Sequence, residues 1–316
     1  MERLIPGFMT YLMQVKNASK STMSSYERDL KRLAAFLDAK GVHTPEDVTA
    51  TSLNSYILFL EREGFSTATV SRNVASMKSF FHYVCDSNRR LNDPTSQIRA
   101  PHIDRKAPEI LSVEEVESLL EQPDPGTAKG IRDKAMLELL YATGMRVTEL
   151  ITLKVADLNQ HLSYVICRDG EKERVIPYGP KAQAALETYL KDAREELLKG
   201  TISDLLFVNC SGNLMSRQGF WKLIKQYAAK AGIETDITPH TIRHSFAAHL
   251  VQNGADLKAV QEMMGHADIA TTQTYLNLSV NHVKNVYAKA IPEDEKRRIR
   301  PEIKSVDSSF LLFWLV

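Results

Sequence analysis

Cysteine is scarce in this chain. Cys85, Cys167 and Cys210 are the only three among 316 residues, and their spacing matches neither a disulfide framework nor a zinc site. That scarcity points to a reducing, cytoplasmic setting. Long apolar runs are missing as well: the stretch FLLFWLV at 310–316 has seven residues, too few to span a bilayer, and no signal-peptide pattern precedes the first domain. A membrane partner is therefore not expected. Net charge is almost absent, with 40 Lys and Arg against 39 Asp and Glu, which argues against a protein that coats DNA non-specifically. No internal repeat is visible. Clustered carboxylates are lacking around the histidines of the last third, which weighs against metal-dependent nuclease chemistry.

What is present suggests two domains, since 316 residues with 43% hydrophobic content exceed one typical core. The charge is unevenly spread. Residues 1–106 carry 15 Lys and Arg against 11 Asp and Glu, whereas residues 107–290 carry 20 against 23. Residues 1–91 read as an all-helical domain. In KSTMSSYERDLKRLAAFLDAKG, Tyr26, Leu30, Leu33 and Leu37 recur at helical spacing, and Gly41 ends the run. TSLNSYILFLEREG closes on Gly64, and STATVSRNVASMKSFFHYVCDS puts Val70, Val74, Met77, Phe81 and Val84 on one face. Ser71, Arg72, Asn73 and Lys78 fall off that face, where they form either a solvated surface or an approach to DNA.

Residues 92–108, with three prolines and the basic Arg99, Arg105 and Lys106, read as a linker. A second domain at 109–290 opens with a Ser112–Glu115 capping box and continues into IRDKAMLELLYATG, stopped by Gly144. LSYVICR and ERVIPYG around the turn DGEK form the one convincing β-hairpin. Helices resume at PKAQAALETYLKDAREELLKG and RQGFWKLIKQYAAKAG. The expected fold is mainly α: a small all-helical N-terminal domain, then a larger, mostly helical domain with a small antiparallel sheet. Residues 291–316 form a C-terminal extension of no assigned role.

The chemistry-bearing residues lie late in the chain. Thr238-Pro239 is a helix start, which places His240 and Arg243 in a first turn that already favours an anion. The Arg243 guanidinium offers two donors to phosphate oxygens and cannot lose its charge. Arg146 lies in the apolar run LELLYATGMRVTELITL, read as helix, with Glu149 three residues on. That pair is either structural or a second phosphate clamp held by a carboxylate. His266 follows Gly265 at a helix start, and Tyr275 comes nine residues later on a helix capped near Asp268. A phenol with a pKa near 10 needs nearby cations and a base to act as nucleophile. His240 and His244, four apart, could reach one zinc ion, but Arg243 between them would repel it.

Together these residues make the chain resemble the tyrosine recombinases of the phage-integrase family, most closely the Xer-type resolvases of chromosome dimers. The resemblance runs to about residue 290 and rests on ATGMRVTEL, KERVIP, TPHTIRHSFAAHL and MMGHADIATTQTYLN. It implies that 1–91 is a core-binding domain and 109–290 the catalytic domain. It implies that Arg146 and Arg243 clamp the scissile phosphate, that His240 and His266 complete the pocket, and that Tyr275 attacks. The product would be a 3′-phosphotyrosyl link, formed without ATP, metal or other cofactor. Double-stranded DNA with a specific site would be held in a C-shaped clamp, with Arg72 and Lys78 near the major groove. The working species would be a homo- or hetero-tetramer, the second subunit type being a related recombinase.

One position departs from the family pattern. Where the family carries a lysine in the hairpin turn, alignment on KERVIP puts Asp169, leaving Lys172 as the best candidate for the general acid and Arg168 as runner-up. The alternatives are the same chemistry in a mobile-element integrase, and a DNA-binding relative that no longer cuts. The lack of an extra N-terminal arm-binding domain favours the Xer type.

Overall fold

The computed structural model describes residues 1–87, 92–103, 108–169 and 172–265. The chain divides into two compact units, Met1–Lys106 and Ala107–Val316. Among the described residues no helix is long and apolar enough to cross a membrane.

The first unit is built from α1 (Ile5–Gln14), α2 (Lys20–Asp38), α3 (Ala50–Arg62) and α4 (Thr67–Ser87). Ser19 caps α2 by accepting from the Thr22 N–H, and Thr49 with Ser52 forms a capping box on α3. The core follows the helical period: Leu30, Leu33 and Leu37 of α2 meet Val70, Val74, Met77, Phe80, Phe81 and Val84 of α4. Each such side chain contributes about 1.5–3 kcal/mol on leaving water.

Asn73, expected off the apolar face, is buried. Its Oδ1 accepts from the Tyr56 hydroxyl at 3.0 Å and its Nδ2 donates to the Thr69 carbonyl at 2.8 Å, so both ends of the amide are satisfied inside the core. Arg72 is held by Asp29, which is fully buried and accepts from Arg72 Nε at 2.8 Å and Nη2 at 2.9 Å. Part of the segment read as linker also belongs to this unit. Ile98 is buried in its core, and Asp93 Oδ1 accepts from both the N–H and the hydroxyl of Thr95.

The second unit contains α5 (Val113–Leu120), α6 (Ala128–Thr143) and α7 (Val147–Thr152). A three-stranded antiparallel sheet follows, in the order β1 (Leu158–Asn159), β2 (Tyr164–Asp169), β3 (Lys172–Pro177). The β2–β3 register pairs Cys167 with Arg174 and Asp169 with Lys172. The ladder thus extends through both outer residues of the expected DGEK turn. The short β1 strand has no period of its own to betray it in sequence. Next come α8 (Pro180–Thr188), a π-helical turn (Tyr189–Ala193) and α9 (Arg194–Leu198), one segment in which the turn seats Tyr189 in the core. The described part ends with α10 (Arg217–Lys230), α11 (Pro239–Gln252) and α12 (Leu257–Met264).

Two sequence expectations hold at the caps of this unit: Ser112 and Glu115 form the capping box of α5, and Gly144 ends α6. Gly144 has φ +58°, and a Cβ there would lie 2.2 Å from Phe246 Cδ1 of α11. Both backbone sign and close packing therefore require glycine. A Gly144→Ala substitution is expected to cost about 2 kcal/mol or more, read as a lower urea midpoint at unchanged slope. A variant as stable as the wild type would show that the Phe246 ring steps aside freely.

Candidate active site

Arg146 is not inside a helix, contrary to the reading of its apolar run. The left-handed Gly144 breaks that run, and Arg146 takes extended backbone angles as the N-cap of α7. The break leaves its side chain about one-third exposed, so no lone cation is buried. Glu149, in the first turn of α7, accepts from the Arg146 N–H at 2.6 Å and from its Nη1 at 3.2 Å. The same carboxylate receives a two-pronged contact from Arg174 of β3, with Nη1 and Nη2 each at 2.7 Å. Burial opposes ionisation of Glu149, but the hydrogen bonds from Arg174 and the Arg146 N–H outweigh it and hold its pKa below the usual value.

α11 begins as its sequence suggests. Thr238 is the N-cap, forming a capping box with Thr241, and Pro239 occupies the first turn. Arg243 is buried, and its Nη1 and Nη2 donate to the carbonyls of Gly144 and Met264. Arg146 Nη2 donates to the next carbonyl in the chain, Gly265 O, at 3.0 Å. The two guanidinium groups therefore meet at the C-terminal end of α12, where free carbonyls and the helix dipole favour cations. With His240 they line one cleft of about 760 Å3, completed by Arg217 and Trp221 of α10.

Arg146, His240 and Arg243 are thus brought together from α7 and α11, with Glu149 behind Arg146. Lys172 is not among the residues that line the cleft. It is exposed at the start of β3, on the same face as Arg174 because strand side chains alternate with period two. Arg168 lies on the opposite face, where Glu173 accepts from its Nε at 2.7 Å and Asp157 from its Nη1. Arg72 and the exposed Lys78 sit on α4 of the first unit. His266 and Tyr275 lie outside the described residues, as does the extension 291–316.

Two cleft-associated cations escaped the sequence reading. Arg217 follows the N-cap Ser216, whose Oγ accepts from the Gly219 N–H; that cap signal was legible, but not the cleft it faces. Arg174 lies in an alternating strand, where an inward arginine looks like any other polar position. Among the described residues there is no cluster of three or more His, Cys, Asp or Glu that could hold a metal ion.

The surroundings of the α11 histidines disfavour their protonation. Partial desolvation, then Arg243, Arg217 and Arg146, lower the pKa of His240. His244 is pushed down to about 4 by burial, then by His240 and Arg243. Below pH 6.5, the ordinary histidine value, the unfolded chain takes up a proton that native His244 refuses. Its neutral form therefore weakens the fold as pH falls from 6.5 toward 4 and costs nothing above 6.5. Between pH 6.5 and pH 5 the wild type should lose about 1–2 kcal/mol more than His244→Asn, read from urea midpoints at each pH. Equal losses would mean that native His244 charges freely.

The similarities to known proteins agree with this geometry. Residues 109–282 match the phage integrase family, and residues 5–88 match the phage integrase N-terminal SAM-like domain. The chain is 43% identical over 295 residues to tyrosine recombinase XerD of Listeria monocytogenes, covering 92% of this chain and 99% of that one. It is 44% identical over the same length and coverage to tyrosine recombinase XerD of Oceanobacillus iheyensis. Among solved structures, XerA recombinase aligns with TM-score 0.52 and 26% identity, covering 93% of this chain and 100% of that one. XerH bound to palindromic difH substrate, in a post-cleavage complex, shares the fold with TM-score 0.72 and 22% identity, covering 90% of this chain and 84% of that one. The chain belongs to the phage integrase family, the tyrosine recombinases that cleave and rejoin DNA through a tyrosine.

Proposed function

We propose that this protein is a Xer-type site-specific recombinase that resolves chromosome or plasmid dimers in the cytoplasm. Its substrate is a specific site in double-stranded DNA, and its working species is a homo- or hetero-tetramer that includes, in the second case, a related recombinase. The observation that carries the reading is the meeting of Arg146 and Arg243 on the adjacent carbonyls of Gly265 and Met264, in one cleft with His240.

Arg146 and Arg243 hold the non-bridging oxygens of the scissile phosphate and stabilise the charge that grows there in the transition state. His240 and His266 complete the pocket. The Tyr275 oxygen attacks phosphorus, its proton passes to a base, and the bond to the 5′ oxygen breaks. The products are a 3′-phosphotyrosyl link and a 5′-hydroxyl. A 5′-hydroxyl from the partner duplex then attacks the link and restores a phosphodiester, freeing the tyrosine. Because phosphodiester energy stays in the covalent link, neither ATP nor a metal is needed.

Lys172 protonates the leaving 5′ oxygen. Two positions along a strand separate it from Arg174 by about 6–7 Å, on the face that reaches Glu149. Arg168 faces away, and the hydrogen bonds it donates to Glu173 and Asp157 raise its already high pKa. It is the weaker candidate on both counts. A second reading, a relative that binds DNA without cutting it, is favoured by Asp169 at the family's usual lysine position.

A nicked suicide duplex, built on the sequence the protein enriches from a randomised pool, separates these readings. Wild type is expected to form a detergent-stable adduct in the presence of EDTA, whereas Tyr275→Phe binds the duplex and forms none. An adduct that persists in the variant rejects the tyrosine assignment, and wild-type binding without an adduct favours the second reading. Lys172→Ala should slow cleavage by about 100-fold or more, and a 5′-phosphorothiolate leaving group, which needs no acid, should restore it. Cleavage of the ordinary substrate at the wild-type rate would remove Lys172 from the mechanism.

A further inference from the structure

We infer that Arg174 is a positioning residue, which divides the charge of Glu149 and so leaves Arg146 able to hold a phosphate. The inference rests on the recombinase reading above. Glu149 accepts from two guanidinium groups at once, and of the two Arg174 is the nearer, at 2.7 Å for both prongs against 3.2 Å for Arg146 Nη1, whose backbone N–H also donates to the carboxylate at 2.6 Å. The carboxylate is buried, so water does little to screen it from either cation. If Arg174 were absent, the charge it now shares would act on Arg146. The carboxylate would then compete with the scissile phosphate for the same donors.

Arg174 also joins separate elements of the site. Its Nε donates to the Met263 carbonyl at 3.0 Å, one residue before the carbonyl that receives Arg243. A Cβ on Gly265 would come within 3.0 Å of Arg174 Nη1, so the guanidinium packs against the carbonyl-bearing residue that Arg146 grips. Lys172 stands two residues away on the same strand face. One side chain thus couples β3, the Glu149–Arg146 pair and the end of α12.

A mere brace and a divider of charge predict different results for a double variant. Full-length wild type, Arg174→Gln, Arg174→Lys and Glu149→Gln/Arg174→Gln are compared on the nicked duplex, and for affinity to the intact duplex across a salt series. Arg174→Gln is expected to slow adduct formation about 100-fold and to reduce the salt slope of binding by about one. The double variant, although it has lost a second group, should recover at least about tenfold, because the Glu149 carboxylate no longer competes for Arg146. Arg174→Lys, which keeps the charge but not the fork, should stay within about tenfold of wild type.

A double variant that melts cooperatively yet is as slow as Arg174→Gln overturns the proposal, because losing a brace is not repaired by a second deletion. Should Arg174→Gln fail to fold, the lysine variant decides: folded but more than about 100-fold slow, it rejects the role of charge. If wild type binds but forms no adduct, the recombinase reading fails separately, and the salt slopes still test Arg174.

Discussion

The grip of two arginines on the last carbonyls of α12 is the contact on which the cleft depends. Arg243 spans Gly144 O and Met264 O, and Arg146 takes Gly265 O. A helix end presents carbonyls with no internal N–H to accept from, so a guanidinium placed there is stabilised without being neutralised by a full negative charge. This lets Arg243 be buried and charged, at the cost of requiring α6, α7, α11 and α12 to end or begin within a few ångströms of one another. Gly144 makes that possible by ending α6 in the left-handed region directly against Phe246 of α11.

The electrostatics of the cleft follow from burial together with this crowding of cations. Burial first, then Arg243, Arg217 and Arg146, disfavours a charge on His240, and burial, then His240 and Arg243, disfavours one on His244. A neutral imidazole keeps one donor and one acceptor nitrogen. Glu149 is the counterweight: it stays ionised despite burial because Arg174 and Arg146 both donate to it. Family membership supplies the chemistry of cleavage and rejoining, and the geometry gathers two guanidinium groups in one cleft.

Much of the fold was legible because its signals are local. Capping residues such as Ser112 and Thr238, the stops at Gly41 and Gly144, and the helical recurrence of Leu30, Leu33 and Leu37 all act within a turn or two. Failures came where a distant partner decided. Asn73 is polar yet buried, because Tyr56 from another helix satisfies it, and Arg72 is claimed by Asp29 across 43 residues. Arg146 looked helical from its neighbours, but one glycine redirected the backbone before it.

What the sequence determined alone is which groups are available and in what order: guanidinium, carboxylate, imidazole and phenol. Only the tertiary structure decided which of them share an anion or a carbonyl. Arg174 carries no local mark of importance, because a strand position shows its face but not what it meets across the fold. Its bond to Glu149 spans 25 residues, and that of Arg146 to Gly265 spans 119. Contacts of that range are made by packing, which depends on the whole core at once and leaves no short-range trace.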